Sequence, residues 1–198
     1  MNKKECAMIL ELLEQGKIED LKSNIQNKLN ELKLKELNGS SYLSNLKKWN
    51  KILSKPDIRP ALQGYSIQDL NDGYGDVQIT TNSIVAFIMN KGYYLDLIKE
   101  SSKEHTYPDL RGVVPAVDSM TEVTFNEQAY LNPVQLGKHT LYTINHSRYE
   151  INVELDNLKM ALNILGENVK IYVHDSELKP ILLENEKGRC MICPIKVK

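Results

Sequence analysis

The chain has 198 residues, of which 41% are hydrophobic and 26% charged, as expected for one globular domain, or one domain with an appendage, and not for a disordered chain. Its 25 basic and 26 acidic residues give a formal net charge of −1, so any attraction to nucleic acid or an anionic membrane must come from a local patch. No apolar run approaches the roughly 18 residues of a membrane span, and the charged N-terminal segment is unlike a signal peptide. We therefore expect a cytoplasmic protein without a membrane partner.

The cysteine pattern points to buried thiols. Three cysteines, Cys6, Cys190 and Cys193, are an odd number, which argues against a disulfide framework. Cys190 and Cys193 match C-x-x-C, but residues three apart on a strand point to opposite faces and cannot share a metal or form a redox pair. We predict core thiols and no cofactor.

The N-terminal forty residues predict a helical extension. Residues 3–15 carry a short apolar stripe that ends at Gly16, and residues 18–37 repeat apolar side chains at spacings of three and four, which is typical of an amphipathic helix. Asn38-Gly39 predicts the end of that helix. Two interpretations stay open: the helices pack on the body as a hairpin, or they form a coiled-coil-like arm for self-association.

A third helix is predicted over residues 42–53 and ends before Pro56, because the residue preceding a proline is forced out of the helical region. Opposite its apolar face lie Lys47, Lys48 and Lys51. A lysine stripe is typical of a solvated face, and it can also contact phosphates of DNA without reading the sequence.

Residues 61–89 predict three strands. Residues 61–69 and 77–81 form a hairpin around a Gly-rich turn, and the wholly apolar segment 83–89 belongs in the middle of a sheet. Residues 92–101 predict a short helix or a strand, and 104–115, with two prolines and a glycine, predict a connection. A strand over 121–131, a loop over 131–139 and a pair of strands over 140–154 follow.

The last fifty residues predict a unit of strand, helix and three strands. Helix 155–165 has one apolar stripe and ends at Gly166, and strands are predicted over 169–174, 179–184 and 189–197. This order repeats that of helix 42–53 and the three strands after it. We therefore predict an α+β fold over 41–198, with two similar helix-plus-antiparallel-sheet halves of about 41–115 and 116–198, both helices on one side.

The sequence shows no arrangement of catalytic or metal-binding residues. Its four histidines lack metal-ligand spacing, and there is no G-x-S-x-G, P-loop or G-x-G-x-x-G motif. We predict that the chain is not an enzyme.

Four short motifs, in chain order, resemble the bacterial sliding clamp, the β subunit of the replicative DNA polymerase. RPALQG at 59–64 is similar to the entry of a clamp hairpin, and YPDLRGVVP at 107–115, followed by TEVTFN at 121–126, is similar to the passage between the second and third clamp domains. The last fifty residues resemble the end of the third domain, with LKMAL at 158–162, LKP at 178–180 and CPIK at 193–196. The chain is far shorter than a clamp, and the family lacks its helical N-terminus.

The resemblance implies a DNA-clamp-like fold and a non-enzymatic role in DNA replication. Clamps hold short hydrophobic peptides of replication and repair proteins in a groove between their second and third domains. A His-Arg pair at the polar end of that groove is replaced here by Ile84-Val85. The groove positions carried over are Thr81, Val114, Pro115, Ile192, Cys193, Pro194 and Ile195, and the competing interpretation is that all seven belong to the core.

Clamps also encircle double-stranded DNA with basic helices, and the resemblance places Lys47, Lys48 and Lys51 on the side facing DNA. One copy cannot make a ring, so this role would require a homo-oligomer. The alternative is a clamp-derived interaction or regulatory module that does not bind DNA.

Overall fold

The computed structural model describes Leu13 and residues 17–197, except for the side chains of residues 24, 27 and 30–40. Two compact units are distinguished, one ending at Ser44 and the other beginning at Asn45. The helix predicted over 3–15 lies, apart from Leu13, outside the described residues. The predicted boundaries of the extension at 1–40 and of the halves at 41–115 and 116–198 stay predictions.

The first helix, α1, is Ile18–Leu53. It continues through Asn38-Gly39, so the prediction that one helix ends there and another begins is wrong. A glycine inside a helix costs only about 1 kcal/mol relative to alanine, whereas a second helix must be nucleated and capped anew. Glu19 and Asp20 in the first turn stabilise the N-terminal end of the helix dipole.

Seven strands form one antiparallel sheet. They are β1 (Ser66–Asp69), β2 (Asp76–Thr81), β3 (Val85–Met89), β4 (Thr121–Val123), β8 (Lys170–Val173), β9 (Ile181–Asn185) and β10 (Gly188–Ile192). Their order is β1-β2-β3-β10-β9-β8-β4. β3 is fully buried in the interior of this sheet, as predicted from its apolar run, and its pairing with β10 joins the two predicted halves.

The helices cover one face of this sheet. Trp49 of α1 is fully buried; its ring packs edge-on against Phe87 with centroids 5.1 Å apart, and its indole N–H donates to Thr80 Oγ1 at 2.8 Å. The helix α3 (Leu155–Leu165) packs on β9 and β10, and Lys48 Nζ lies 3.4 Å from Asp156 in its first turn. The predicted α+β architecture, with both helices on one side, is confirmed.

The connection between the two halves covers the opposite face. Leu110 is buried in an apolar cluster with sheet residues that include Ala86, Leu182 and Met191, and Val114 packs against this cluster, as do Val117 and Met120. The prediction of a connection over 104–115 is therefore confirmed. The helix or strand predicted over 92–101 is wrong: this segment consists of turns and the isolated bridge Tyr65–Glu100.

A second, three-stranded sheet consists of β5 (Val134–Leu136), β6 (His139–His146) and β7 (Tyr149–Glu154). The pair of strands predicted over 140–154 is confirmed as β6 and β7. The strand predicted over 121–131 is wrong beyond β4, because Asn126 caps the short helix α2 (Glu127–Leu131), its side chain accepting from Ala129 N–H. The loop predicted over 131–139 is also wrong, since it contains β5.

The predicted order of the C-terminal unit is confirmed: β7, α3, β8, β9 and β10 follow one another. Gly166 follows α3 with a φ of 87°, a left-handed conformation that glycine adopts without the steric cost of a Cβ.

Candidate functional site

Two distant stretches of the chain, the turn between β2 and β3 and the segment after β10, meet at one end of the large sheet. Because neighbouring strands are antiparallel, the end of β2, the start of β3 and the end of β10 lie together, with Thr81 opposite Ala86 and Ile192 opposite Val85. Beyond β10, Cys193 N–H donates to Ile84 O at 2.8 Å. We define the strand-end surface as the exposed and half-buried residues Ile84, Cys193, Pro194 and Ile195 at this end, taken together with Val114 and Pro115 of the connection, which the sequence resemblance assigns to the same groove.

The turn between β2 and β3 is held rigidly by side chains. Thr81 Oγ1 donates to Val85 O at 2.9 Å and accepts from Ser83 N–H at 3.0 Å. Asn82 Oδ1 accepts from the N–H groups of Ile84 and Val85 at 3.0 and 2.8 Å. The result is a fixed turn on which the apolar side chain of Ile84 is 52% exposed. Thr81 itself is buried, so it shapes the site instead of lining it.

The connection carries two further predicted positions, Val114 and Pro115. Val114 N–H donates to Leu110 O at 3.3 Å, which anchors this stretch to the buried cluster and leaves Val114 and Pro115 half-buried. Nearby, burial raises the pKa of the Tyr107 hydroxyl, which lies close to the Thr81 backbone. The phenol is therefore neutral at physiological pH.

The C-terminal segment 193–195 lies beside the turn and bridges the two sheets. Cys193 pairs with the turn at Ile84, and Ile195 N–H donates to Asn152 O of β7 at 2.7 Å. Burial raises the pKa of the Cys193 thiol, so the thiol is protonated at neutral pH and behaves as an apolar group. Pro194 and Ile195 are half-buried.

Of the seven predicted positions, the structure places Cys193 against the turn that carries Ile84, with Pro194 and Ile195 following it along the chain, while Val114 and Pro115 lie half-buried on the connection. Thr81 and Ile192 lie beneath the strand-end surface, Ile192 fully buried between Val85 and Ile181. One residue of the surface, Ile84, was not predicted as a contact. The sequence did contain an indication of this residue, because apolar Ile84-Val85 stands where the clamps have the polar His-Arg pair.

The lysines predicted to face DNA, Lys47, Lys48 and Lys51, are exposed on α1. The charge around them is mixed, since Lys48 lies 3.4 Å from Asp156. On α3, Lys159 Nζ lies 5.3 Å from the centroid of the Tyr130 ring.

One cluster of polar side chains has the residue types of a hydrolase, although its geometry differs. His146 Nε2 lies 3.0 Å from Asp175 Oδ1 and 3.5 Å from Ser147 Oγ. A catalytic triad needs the carboxylate on one ring nitrogen and the nucleophile on the other, whereas here both partners lie at the same nitrogen. This cluster is not arranged to activate Ser147.

Within the described part of the chain, no group of three or more His, Cys, Asp or Glu side chains is placed to hold a metal ion. None of the helices among the described residues has both the length and the apolar character required to cross a membrane.

The chain was compared with known proteins. No protein-family model and no curated protein sequence matches it. Among solved structures it is similar to the Helicobacter pylori beta clamp bound to a DNA ligase peptide, with 13% identity and a TM-score of 0.49 over 77% of this chain and 62% of that one. It is also similar to the DNA polymerase sliding clamp of Bacillus subtilis, with 14% identity and a TM-score of 0.47 over 76% of this chain and 62% of that one. The match thus spans less than two thirds of either clamp chain, and both structures come from the family that the sequence motifs resemble.

Proposed function

We propose that this chain is a non-enzymatic interaction protein of DNA replication or repair that docks a short hydrophobic peptide on the strand-end surface. The observation that carries the proposal is the exposure of Ile84 on a turn fixed by side-chain hydrogen bonds and paired to Cys193. When a partner covers a large apolar side chain that is exposed to water, the free energy of the system decreases, which favours binding.

The apolar character of the surface suggests how a peptide binds. Ile84 stands on the turn between β2 and β3 beside Cys193, Pro194 and Ile195 follow Cys193, and we take half-buried Val114 and Pro115 of the connection as the opposing side. Each large apolar side chain that the peptide buries contributes roughly 1.5–3 kcal/mol, so two anchors contribute about 3–6 kcal/mol, which corresponds to a Kd between about 40 μM and about 6 mM.

Ile84 also sets the kind of peptide that fits. A clamp has a His-Arg pair at this place, which suits a polar group of the ligand. An exposed isoleucine cannot donate a hydrogen bond, so the peptide position that meets Ile84 is expected to be apolar.

Fluorescence anisotropy with a labelled peptide tests the proposal. A suitable probe is the DNA ligase peptide bound in the Helicobacter pylori clamp structure, compared with a scrambled peptide of the same composition. We expect saturable binding of the first peptide, and weakening by about tenfold or more when Pro194→Ala and Ile195→Ala are combined, because one apolar contact is worth a factor of this order.

The matched control is Tyr93→Ala, since Tyr93 is 44% exposed and follows the opposite end of β3. This variant should bind as the wild type does. Equal binding of the ligase and scrambled peptides, or no binding of either at about 1 mM chain, would contradict the proposal.

DNA contact through Lys47, Lys48 and Lys51 is a second candidate function, favoured by their exposure along one helix. Such contact should weaken steeply with salt, because each lysine that neutralises a phosphate releases a counterion. Charge reversal of all three lysines to Glu should abolish binding to a labelled duplex at low salt. A wild-type chain that leaves the duplex free at low salt would instead favour the module that does not bind DNA.

A further inference from the structure

A buried cation lies beneath the loop between β1 and β2, on the face of the large sheet that the connection covers. Arg189 of β10 is 5% exposed and stands opposite Ile88 of β3, a member of the apolar cluster on that face. Its Nη2 lies 2.6 Å from Asp72 Oδ2 in the loop. Among the described residues, however, neither Nε nor Nη2 has an aligned hydrogen-bond acceptor. Because a buried donor without an acceptor costs free energy, the ion pair leaves Arg189 only partly satisfied.

Asp72 is not free to provide the two missing acceptors. Its Oδ1 accepts from Tyr74 N–H at 3.2 Å, which leaves Oδ2 alone for the guanidinium. A carboxylate binds a guanidinium most strongly when each of its two oxygens accepts from one of two parallel N–H groups. The contact between Asp72 and Arg189 therefore holds the loop against the sheet less firmly than a bidentate pair would.

The side chain of Tyr74 covers Arg189 from the solvent side. The guanidinium carbon of Arg189 lies 4.6 Å from the centroid of the Tyr74 ring, within the range of a cation–π contact. The Tyr74 hydroxyl donates to Glu184 Oε1 at 3.1 Å, and Glu184 is the residue of β9 directly opposite Arg189. Tyr74 is nevertheless 49% exposed, so the cover is a single ring that remains in contact with water.

Two glycines flank this cover. Gly73 and Gly75 have φ values of 88° and 69°, and nothing lies within 4 Å of the position that a Cβ would take at either residue. The loop therefore stands clear of the sheet on both sides of Tyr74. Its two ends are fixed, because Leu70 is buried in the apolar cluster and Asp76 begins β2. Glycine has the widest backbone freedom of any residue, so release of the loop between these ends is favoured by conformational entropy.

We propose that residues 71–75 form a flap, which opens as a unit while the sheet beneath it stays folded, and which Asp72 and Tyr74 hold closed on Arg189. Opening places the guanidinium in water, where all its donors find acceptors, and this compensates in part for the lost contacts with Asp72 and Tyr74. The open state presents a cation on the apolar face of the sheet, at the opposite end of β3 from the strand-end surface. This inference does not depend on peptide docking.

Modification of the full chain with phenylglyoxal, a reagent that reacts with accessible guanidinium groups, tests the inference. Peptide mass spectrometry measures the reaction of Arg189 and of Arg111, whose side chain is 58% exposed, in the same sample. In the wild type, we expect Arg189 to react more slowly than Arg111. Its rate should stay constant with urea below the unfolding transition, because a local opening exposes little new surface.

Substitutions of Tyr74 test what holds the flap closed. Tyr74→Ala removes the ring and should raise the rate at Arg189 about tenfold, the value of a desolvated cation–π contact. Tyr74→Phe keeps the ring and loses only the hydrogen bond to Glu184, so it should raise the rate less. The matched control is Tyr93→Ala, which removes a tyrosine that is 44% exposed and lies outside the flap; it should leave the rate unchanged. Circular dichroism should show that the three variants are folded.

Three results would overturn the inference. If Arg189 of the wild type reacts as fast as Arg111, the flap is not closed. If its rate rises with urea as steeply as the unfolded fraction does, Arg189 is reached only by unfolding of the sheet. Equal rates in the wild type and in folded Tyr74→Ala would show that Tyr74 does not hold the loop. Should Tyr74→Ala not fold, the urea dependence of the wild type decides the question alone.

Discussion

The contact between Trp49 and Thr80 gives the sharpest test of how α1 is attached to the large sheet. Both side chains are fully buried, and the indole N–H donates to Thr80 Oγ1 at 2.8 Å. Thr80→Val preserves the shape of the side chain and removes the acceptor. The buried indole N–H is then left without a partner, at a cost of about 1–3 kcal/mol.

The same substitution should cost little once the indole is gone. In a Trp49→Phe background no indole N–H is present, so Thr80→Val removes a hydroxyl that has already lost its partner. The difference between the two costs is the coupling free energy, which we expect to be about 1–2 kcal/mol for directly contacting groups. Trp49→Phe alone should also lose stability, because it removes part of the edge-on packing against Phe87.

Urea unfolding of the wild type, the two single variants and the double variant provides the four free energies of unfolding. Far-UV circular dichroism is the suitable signal, since Trp49 is the single tryptophan of the chain and fluorescence is lost in two of the four proteins. A coupling below about 0.3 kcal/mol, the usual scatter for independent sites, would refute the packing of residues 45–53 on β2 and β3.

Three further predictions concern other parts of the second unit. Gly188→Ala should destabilise the chain by about 3 kcal/mol or more, because Gly188 has a φ of 153° and the Cβ of the alanine would collide with the backbone of β3 at Ile88. Gly73→Ala is the control, since there is open space around Gly73, and it should cost much less stability in the same thermal unfolding assay. Arg189 is buried, and its Nη2 lies 2.6 Å from Asp72 Oδ2. Asp72→Asn leaves the buried charge of Arg189 without its partner, which costs about 3–5 kcal/mol, so it should lower the free energy of urea unfolding more than Arg189→Met does. A larger loss for Arg189→Met would contradict this prediction. Burial, and then the charge of Lys179, lowers the pKa of His174 in the folded chain. As the pH drops below about 6.5, the unfolded chain takes up a proton on His174 before the folded chain does, so the free energy of unfolding should decrease. His174→Gln should reduce this pH dependence, and an unchanged pH profile would exclude His174 as its source.

The sequence predicts those elements whose packing is decided locally. The stripe on 155–165 is one apolar face of a helix, and the structure buries Leu158, Ala161 and Leu165 of that face. The apolar residues Val85–Met89 similarly indicate a position inside a sheet, which β3 occupies with all five side chains buried. In both cases a continuous apolar pattern is sufficient to predict the buried element.

The wrong predictions share another cause. At Asn38-Gly39 two weak helix formers suggest a break, but the flanking helical segments outweigh them. At 131–139 a proline and a glycine suggest a loop, although Gly137 is the turn glycine of a hairpin that forms β5. Single-residue preferences near 1 kcal/mol do not reveal which neighbouring segments will pair.

The candidate site was only partly predictable for the same reason. The motif resemblance picked out Val114, Pro115 and residues 193–195, which the structure leaves half-buried, and it places Cys193 against the turn at Ile84. It could not show that Ile192 points to the helices, because a shift of one residue along a strand exchanges the buried and the open face. Nor could it show that Ile84 is exposed, since this depends on the side-chain hydrogen bonds of Thr81 and Asn82.

Peptide docking on the strand-end surface, as we propose it, can be mapped residue by residue through amide hydrogen exchange with and without the Helicobacter pylori DNA ligase peptide. We expect slower exchange on peptide addition in three separate stretches, the turn at 82–85, the connection around Val114 and the C-terminal segment 193–197, with β5 and the exposed face of α1 unchanged. Protection confined to other parts of the chain, or no change at saturating peptide, would contradict it.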